Sequence, residues 1–373
     1  IEKNMKLSGK IVREETGLLV GLFTLISFIT IGNSWLYEMS GWVVPITLFA
    51  WLFPVMLWLS FGVVRHADCL AIKLGEPYGT LILTISVISI EVIMITAMMI
   101  NGVENPTLGR DMMFAVLMIV LNGLIGISLL CGGLRHLEQV HNLQGANTFL
   151  IVLIPLSVLT LILPNFTVST EPGTYSLSQM IFGISASVAL YGAFLVIQTM
   201  RHQRFFMIPG GDPHDEHDHG DLIIRSVSYH AVLLLMNMLP IVLLSKSMAK
   251  IIDYKIASLH APIALGGVLI AILVLAPEGL AAINSALANR LQRSVNICLG
   301  SALATIGLTV PAILIIGLVT GEKIILGLSP VDSVLLVLTL IVSIVTFAST
   351  KTNIIHGIVH LILFISYLVM VFD

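Results

Sequence analysis

Eleven stretches of this 373-residue chain are each long and apolar enough to leave water: 16–35, 43–64, 78–100, 111–132, 148–165, 176–200, 226–246, 262–288, 294–319, 331–349 and 353–372. A helix needs about 20 mostly apolar residues to cross the hydrocarbon core of a bilayer, where its backbone polar groups must be satisfied internally. The pattern predicts an all-α polytopic membrane protein of about eleven transmembrane helices. Composition agrees: 57% of residues are hydrophobic and only 10% charged, against about 25% charged in soluble chains. The net charge is −3, with no basic block to suggest nucleic acid. Cys69, Cys131 and Cys298 lie far apart without CxxC spacing, so they read as small apolar packing residues. Lys3, Lys6, Lys10 and Arg13 precede the first run, which lacks a small-residue cleavage site and reads as a retained helix.

Positive charge sets the expected orientation. With the N-terminus cytoplasmic, thirteen of the eighteen Lys and Arg residues fall at inner helix ends, and five (Arg110, Lys246, Lys250, Lys255 and Lys323) fall at outer ends. An odd number of spans then puts the C-terminus outside. One connection is unlike the rest: "PGGDPHDEHDHGD" (209–221) carries five acids and three histidines. It separates a leading helix and five helices from a second five. Five is odd, so any likeness between the two groups is an inverted repeat. The expected divisions are 1–40 (tail and leading helix), 41–205 (first repeat), 206–224 (cytoplasmic linker) and 225–373 (second repeat).

Two acids stand in the middle of spans. "GTLILTISVISIEV" leads from Gly79 to Glu91, and "GGVLIAILVLAPEG" places Glu278 after Gly266; both intervals are twelve residues. A carboxylate at a helix centre costs about 2.5–3.5 kcal/mol, so it faces a cavity or a partner, and neither span contains a basic residue. A proton or a cation remains. Two carboxylates offer up to four oxygens to a hard ion such as Ca²⁺, which takes six to eight. The structural alternative is a pair of protonated glutamates hydrogen-bonded in the core. Pro277 removes the N–H that would serve the carbonyl of Leu273, making that oxygen a further candidate ligand. Asn122, Ser301 and Thr305 in the fourth and ninth runs are secondary candidates, although small-residue packing also explains those motifs.

"RHADCLAIKLGEPYGTLILTISVISIEV" and "LAPEGLAAINSALANRLQRSVNICLGSALATIGLTVP" resemble the two alpha-repeats of the cation/calcium exchanger superfamily, and within it the bacterial Ca²⁺/H⁺ and Na⁺/H⁺ antiporters. The resemblance covers nearly the whole chain. It implies that Glu91 and Glu278 carry cation and protons. The family's Gly-Asn-Ala-x-Glu pattern is replaced here by "VISIE" and "VLAPE". Asp68 matches an acid that relatives carry before the Gly-rich turn, which implies a cytoplasmic gate or proton relay; a plain pairing with Arg65 is the alternative. His66 can titrate near neutral pH and joins Asp68 as a gate candidate.

In the linker, Asp212, His214, Asp215, Glu216, His217, Asp218 and His219 form a candidate regulatory cation site, or simply a soluble loop. Glu76 reads as a solvated cap, His356 and His360 as neutral core histidines, and Asp332 as a helix-start residue. The expected function is antiport of cytoplasmic Ca²⁺ against external H⁺ in the bacterial inner membrane, without a resident cofactor. Na⁺/H⁺ or K⁺/H⁺ antiport through the same site is the alternative, and a passive cation channel a remote one. No intramembrane-protease motif is present in a span, so no enzyme is expected. The partners are the transported ions and the bilayer; the oligomeric state is open.

Overall fold

A computed structural model describes residues 15–37, 39–74, 78–101, 106–207, 224–262, 264–321 and 323–372. Among them, seven helices are long and apolar enough to cross a membrane, and four shorter apolar stretches complete the eleven predicted positions. In chain order these are α1 (Thr16–Gly32), α2 (Val43–Leu74), α3 (Tyr78–Asn101), α4 (Leu108–His136), α5 (Leu143–Phe166), α6 (Leu177–Arg201), α7 (Val227–Leu259), α8 (Ala264–Leu287), α9 (Leu291–Thr320), α10 (Pro330–Thr346) and α11 (Ile354–Met370). The fold is all-α and polytopic.

Two helices outrun the sequence expectation. α2 continues ten residues past 64, and α7 thirteen past 246. Hydropathy stops at Arg65, His66 and Asp68 in one and at Lys250 and Asp253 in the other, but helical backbone does not. The helical continuation keeps a buried stripe: Val63, His66, Ala67 and Leu70 in α2, and Met248, Ile252 and Ile256 in α7. At 1.5 Å per residue, helices of 32 and 33 residues span about 50 Å, well beyond a hydrocarbon core of about 30 Å. Arg65, His66 and Asp68 therefore lie within α2, past the expected end of the span at 64.

The chain packs as two compact units. The first contains α1, α2, α3 and α7. Here α2 and α7 pack along each other and both support α3. Glu15, Arg65, His66 and His230 meet at one end of this unit. At the other, Lys255 donates to the carbonyl of Gly41 and lies 4.2 Å from the Trp42 ring centroid, while Lys250 lies over Tyr37. Two of the lysines that sit against the charge rule, Lys250 and Lys255, are thus held by aromatic rings.

The second unit contains α4, α5, α6, α9, α10, α11 and α8 from Gly267. Its turns sort cleanly between two ends. A two-residue antiparallel ladder, Gln139↔Thr352 and Val140↔Lys351, joins the α4–α5 and α10–α11 turns. Gln139 also donates to the carbonyl of Ala286, and Gln292 accepts from the backbone of Asn142, so the α8–α9 turn lies at the same end. At the opposite end Arg110 donates to the Gly327 carbonyl, and Asn165 to that of Leu328. Alternating spans require these groupings.

Glycine sets two close approaches in this unit. A Cβ at Gly357 of α11 would lie 2.5 Å from the backbone N of Leu130, so α4 and α11 meet backbone to backbone. Gly267 lies against Met112 and Gly279 against Leu124; the equal twelve-residue steps show that α8 and α4 run parallel.

Regular α-geometry is interrupted by π turns, among them Ile119–Leu124 in α4 and Thr305–Thr309 in α9. Such turns add a residue to the backbone and gather at functional sites. Apolar periodicity could not forecast them, because one added residue leaves the run as apolar as before.

Candidate cation site

Glu91 is the fourteenth residue of the 24-residue α3, and Glu278 the fifteenth of the 24-residue α8. Each is the only charged residue of its helix. Glu91 is 2% exposed. The residues one turn away along its face, Val87, Ile88, Met94 and Ile95, are all buried. Glu278 is half-buried, with Val274, Leu275 and Ala282 buried one turn to either side. Desolvation by such neighbours is what makes an ionised carboxylate costly and a bound proton or cation favourable.

The surroundings of Glu278 come from α4 and α9. Gly279 brings α8 against Leu124, the last residue of the α4 π turn. Cys298 of α9 lies within electrostatic reach of Glu278. Ser301 and Thr305 follow Cys298 at spacings of three and seven, which places all three on one face of α9. Thr305 is buried and opens the α9 π turn. Leu273 is buried, and α8 runs unbroken through Pro277.

Asn122 sits at the centre of the α4 π turn and is fully buried. Its amide Nδ2 donates to Thr339 Oγ1 at 2.8 Å, and its Oδ1 lies 3.1 Å from His360 Nδ1. An amide oxygen can only accept, so His360 carries its proton on Nδ1; its Nε2 then accepts from the Thr346 hydroxyl at 2.9 Å. One lone pair of the Asn122 oxygen is thereby occupied and a second remains. His360 is a core histidine as expected. His356 is not: it is half-buried and closes a capping box with Asn353 at the start of α11. Asp332 occupies the first turn of α10, its backbone N–H capped by Ser329. Cys69 and Cys298 are buried, Cys131 is half-buried, and all three are free thiols.

At the other candidate location, Asp68 is half-buried on α2 and His66 is buried. The sequence reading missed two residues that join them. Glu15 accepts from Arg65 at 2.6 Å, and His230 lies 3.0 Å from His66. Burial opposes ionisation of Glu15, but the His66 hydrogen bond, the nearby cations and the Tyr229 hydroxyl outweigh it and hold its carboxyl below the ordinary range. An acid immediately before one span and a histidine in the first turn of another were the available signals. The linker residues Asp212, His214, Asp215, Glu216, His217, Asp218 and His219, and Glu76, lie outside the described residues.

The family model described as "Sodium/calcium exchanger protein" matches residues 44–200 and 229–372, most of the chain and both groups of helices. The chain belongs to this family. This exchanger-family chain is 37% identical over 371 residues to the "Sodium-potassium/proton antiporter ChaA" of Escherichia coli strain K12, covering 99% of each. It is also 37% identical over 352 residues to the "Putative ionic transporter y4hA" of Sinorhizobium fredii, covering 90% of this chain and 95% of that protein. Among solved structures, native YfkE superposes with a TM-score of 0.72 at 18% identity, covering 95% of this chain and 99% of that one. The H⁺/Ca²⁺ exchanger CAX superposes at 0.66 with 14% identity, covering 96% and 88%. The structural likenesses establish the exchanger fold. The relatives carry transporter names, none an enzyme's.

Proposed function

We propose that this chain is a secondary antiporter that exchanges a cytoplasmic cation for external protons by alternating access, with Glu91 and Glu278 binding either. The observation that carries the reading is the pair itself. Two helices of equal length each hold one charged residue, a carboxylate, at matched mid-helix positions. Transporters built from inverted repeats bind their substrates near the bilayer midplane. The paired lengths of α2 and α7 and the π turns of α4 and α9 support the same repeat relation. Ser301, Thr305, the second lone pair of the Asn122 oxygen and the Leu273 carbonyl supply neutral oxygens, and Asp68 with His66 forms the gate. The protein sits in the bacterial inner membrane with its N-terminus cytoplasmic.

The 37% relative is named for sodium, potassium and protons, so Na⁺ and K⁺ are the first ions to test. Ca²⁺ is the second reading, favoured by the charge of two carboxylates. Either way the cycle is the same. The glutamates hold the cation facing the cytoplasm, the repeats rearrange, and protons neutralise the pair for the return. An empty dianionic site is too costly in the membrane to cross back, which enforces exchange over leak. Two protons per Ca²⁺, or one per monovalent ion, move no net charge. Since each charge crossing 100 mV is worth about 2.3 kcal/mol, an electroneutral exchange is indifferent to voltage and driven by the pH gradient.

The test uses proteoliposomes loaded with a pH-sensitive dye under an inside-acid gradient. Cation addition outside should alkalinise the lumen with wild type and not with Glu91→Gln or Glu278→Gln. Full activity in either variant, or silence of wild type with Na⁺, K⁺ and Ca²⁺ alike, refutes the reading.

A further inference from the structure

A directional hydrogen-bond chain crosses three helices at the end of the first unit. The backbone N–H of Arg225 donates to His230 Nε2 at 2.9 Å. His230 Nδ1 lies 3.0 Å from His66 Nδ1, and His66 Nε2 lies 3.3 Å from Glu15 Oε2. A neutral imidazole has one N–H and one lone pair. The Arg225 amide can only donate, so His230 must present a lone pair at Nε2 and carry its proton on Nδ1. That proton points at His66 Nδ1, which must therefore accept. His66 then carries its proton on Nε2, directed at the carboxylate of Glu15. Arg65 Nη2 approaches the same Glu15 oxygen at 2.6 Å. Arg65 Nη2 also lies 3.2 Å from His66 Nε2, but its shorter contact is to the carboxylate, on which both donors converge, so one tautomer of each ring satisfies the chain from Arg225 to Glu15.

The chain has no place for another proton. A doubly protonated His66 would turn an N–H toward the N–H of His230. A doubly protonated His230 would turn one toward the Arg225 amide. If His230 instead swapped tautomers to accept from His66, it would again face Arg225 with an N–H. The first route breaks the bond between α2 and α7, and the other two break the bond that ties the Arg225 amide to His230. Both rings are at most 2% exposed, so water does not readily replace the lost bond. The charged and titratable groups facing the pair are Glu15 before α1, Arg65, Asp68 and Cys69 on α2, and Arg225 and Tyr229 at the start of α7. Among its described side chains, α3 contributes only the mid-helix Glu91. The pair is not the edge of a metal site, because Glu15 and the Arg225 amide lie on the far nitrogens and, among the described residues, no third ligand converges.

We propose that His66 and His230 form a proton-binding site separate from the two glutamates, in which uptake of one proton breaks the hydrogen-bond chain that runs from the Arg225 amide through His230 to His66. The chain is whole while both rings are neutral and is broken as pH falls. α3, which carries Glu91, packs on both helices, so the site is coupled to the frame of the cation-binding carboxylate. That coupling to transport rests on the antiporter reading; the proton site does not.

The experiment is histidine ¹⁵N NMR of the full chain in nanodiscs, titrated from alkaline to acidic pH, with signals assigned by His66→Gln and His230→Gln. The expected result is His66 protonated on Nε2 and His230 on Nδ1 at alkaline pH, both changing together in one single-proton step. In His230→Gln the glutamine oxygen can accept from His66, whose proton affinity should rise about tenfold. Independent titration of the two rings, the opposite tautomers, or an unchanged His66 in His230→Gln overturns the proposal. If that variant does not fold, the wild-type titration decides alone. Glu91→Gln separates the two readings: the coupled step must persist there, and its loss overturns a separate site. A persisting step in a protein that exchanges no cation sinks the antiporter reading alone.

Discussion

Replacing Gly357 by alanine should loosen α11 from α4. The added Cβ would lie 2.5 Å from the Leu130 backbone N and 2.8 Å from the Gly126 carbonyl oxygen. Neither neighbour is the free end of a side chain, so the helices themselves must part. Restoring ordinary contact near 3.4 Å requires about 0.9 Å of separation. One turn along α11, His360 Nδ1 sits 3.1 Å from Asn122 Oδ1; the same displacement stretches it to about 4 Å, beyond hydrogen-bond range. Overpacking costs about 1–3 kcal/mol, and leaving the buried pair unsatisfied about another 1–3. Alanine recovers up to about 1 kcal/mol of helix propensity, so the net loss is about 1–6 kcal/mol. Gly192 of α6 is the control, since nothing lies within 4 Å of its added Cβ. Unfolding titrations in mixed micelles should show Gly357→Ala destabilised and Gly192→Ala unchanged or slightly stabilised. Wild-type stability in Gly357→Ala, or equal losses in both, would refute the backbone-contact reasoning.

Two further outcomes concern pH and charge. His141 is fully buried and, among the described residues, has no hydrogen-bond partner at either ring nitrogen; burial, aided by the charge of His356, pushes it down to about 4. The unfolded chain then binds more protons between about pH 6.5 and 4, so up to about 3 kcal/mol of stability present above pH 6.5 is lost as pH falls through that window. His141→Leu should flatten the decline, as read by unfolding free energies at neutral and mildly acidic pH. Glu15, held below the usual carboxylate range, acts in the same direction but in a more acidic window: its stabilisation is complete at neutral pH and disappears only as pH falls through its lowered folded value. Glu15→Gln should cost about 1–3 kcal/mol at neutral pH and nothing once the wild-type carboxyl is protonated. An equal deficit at both pH values would contradict the ionic account.

The number and places of the spans, and the two acids inside them, could be read from the chain because both are local quantities. A run of 20 apolar residues is helical in a bilayer whatever its neighbours, and a carboxylate in such a run is anomalous wherever it lies. Where a helix ends beyond the membrane was not legible. α2 and α7 continue because the far turns of each keep a buried stripe inside the unit, which a hydropathy sum cannot register. The π turns at Asn122 and Thr305 were equally silent. The partners of His66 were legible only as residue types: Glu15 is 51 positions away and His230 164. Asn122 looked like a cation ligand from its apolar setting. Packing added Thr339 and His360, more than 200 residues away, as its hydrogen-bond partners. Sequence determined what must leave water, and tertiary structure decided which buried polar group meets which, because a hydrogen bond is selected by distances of a few tenths of an ångström that no local pattern contains.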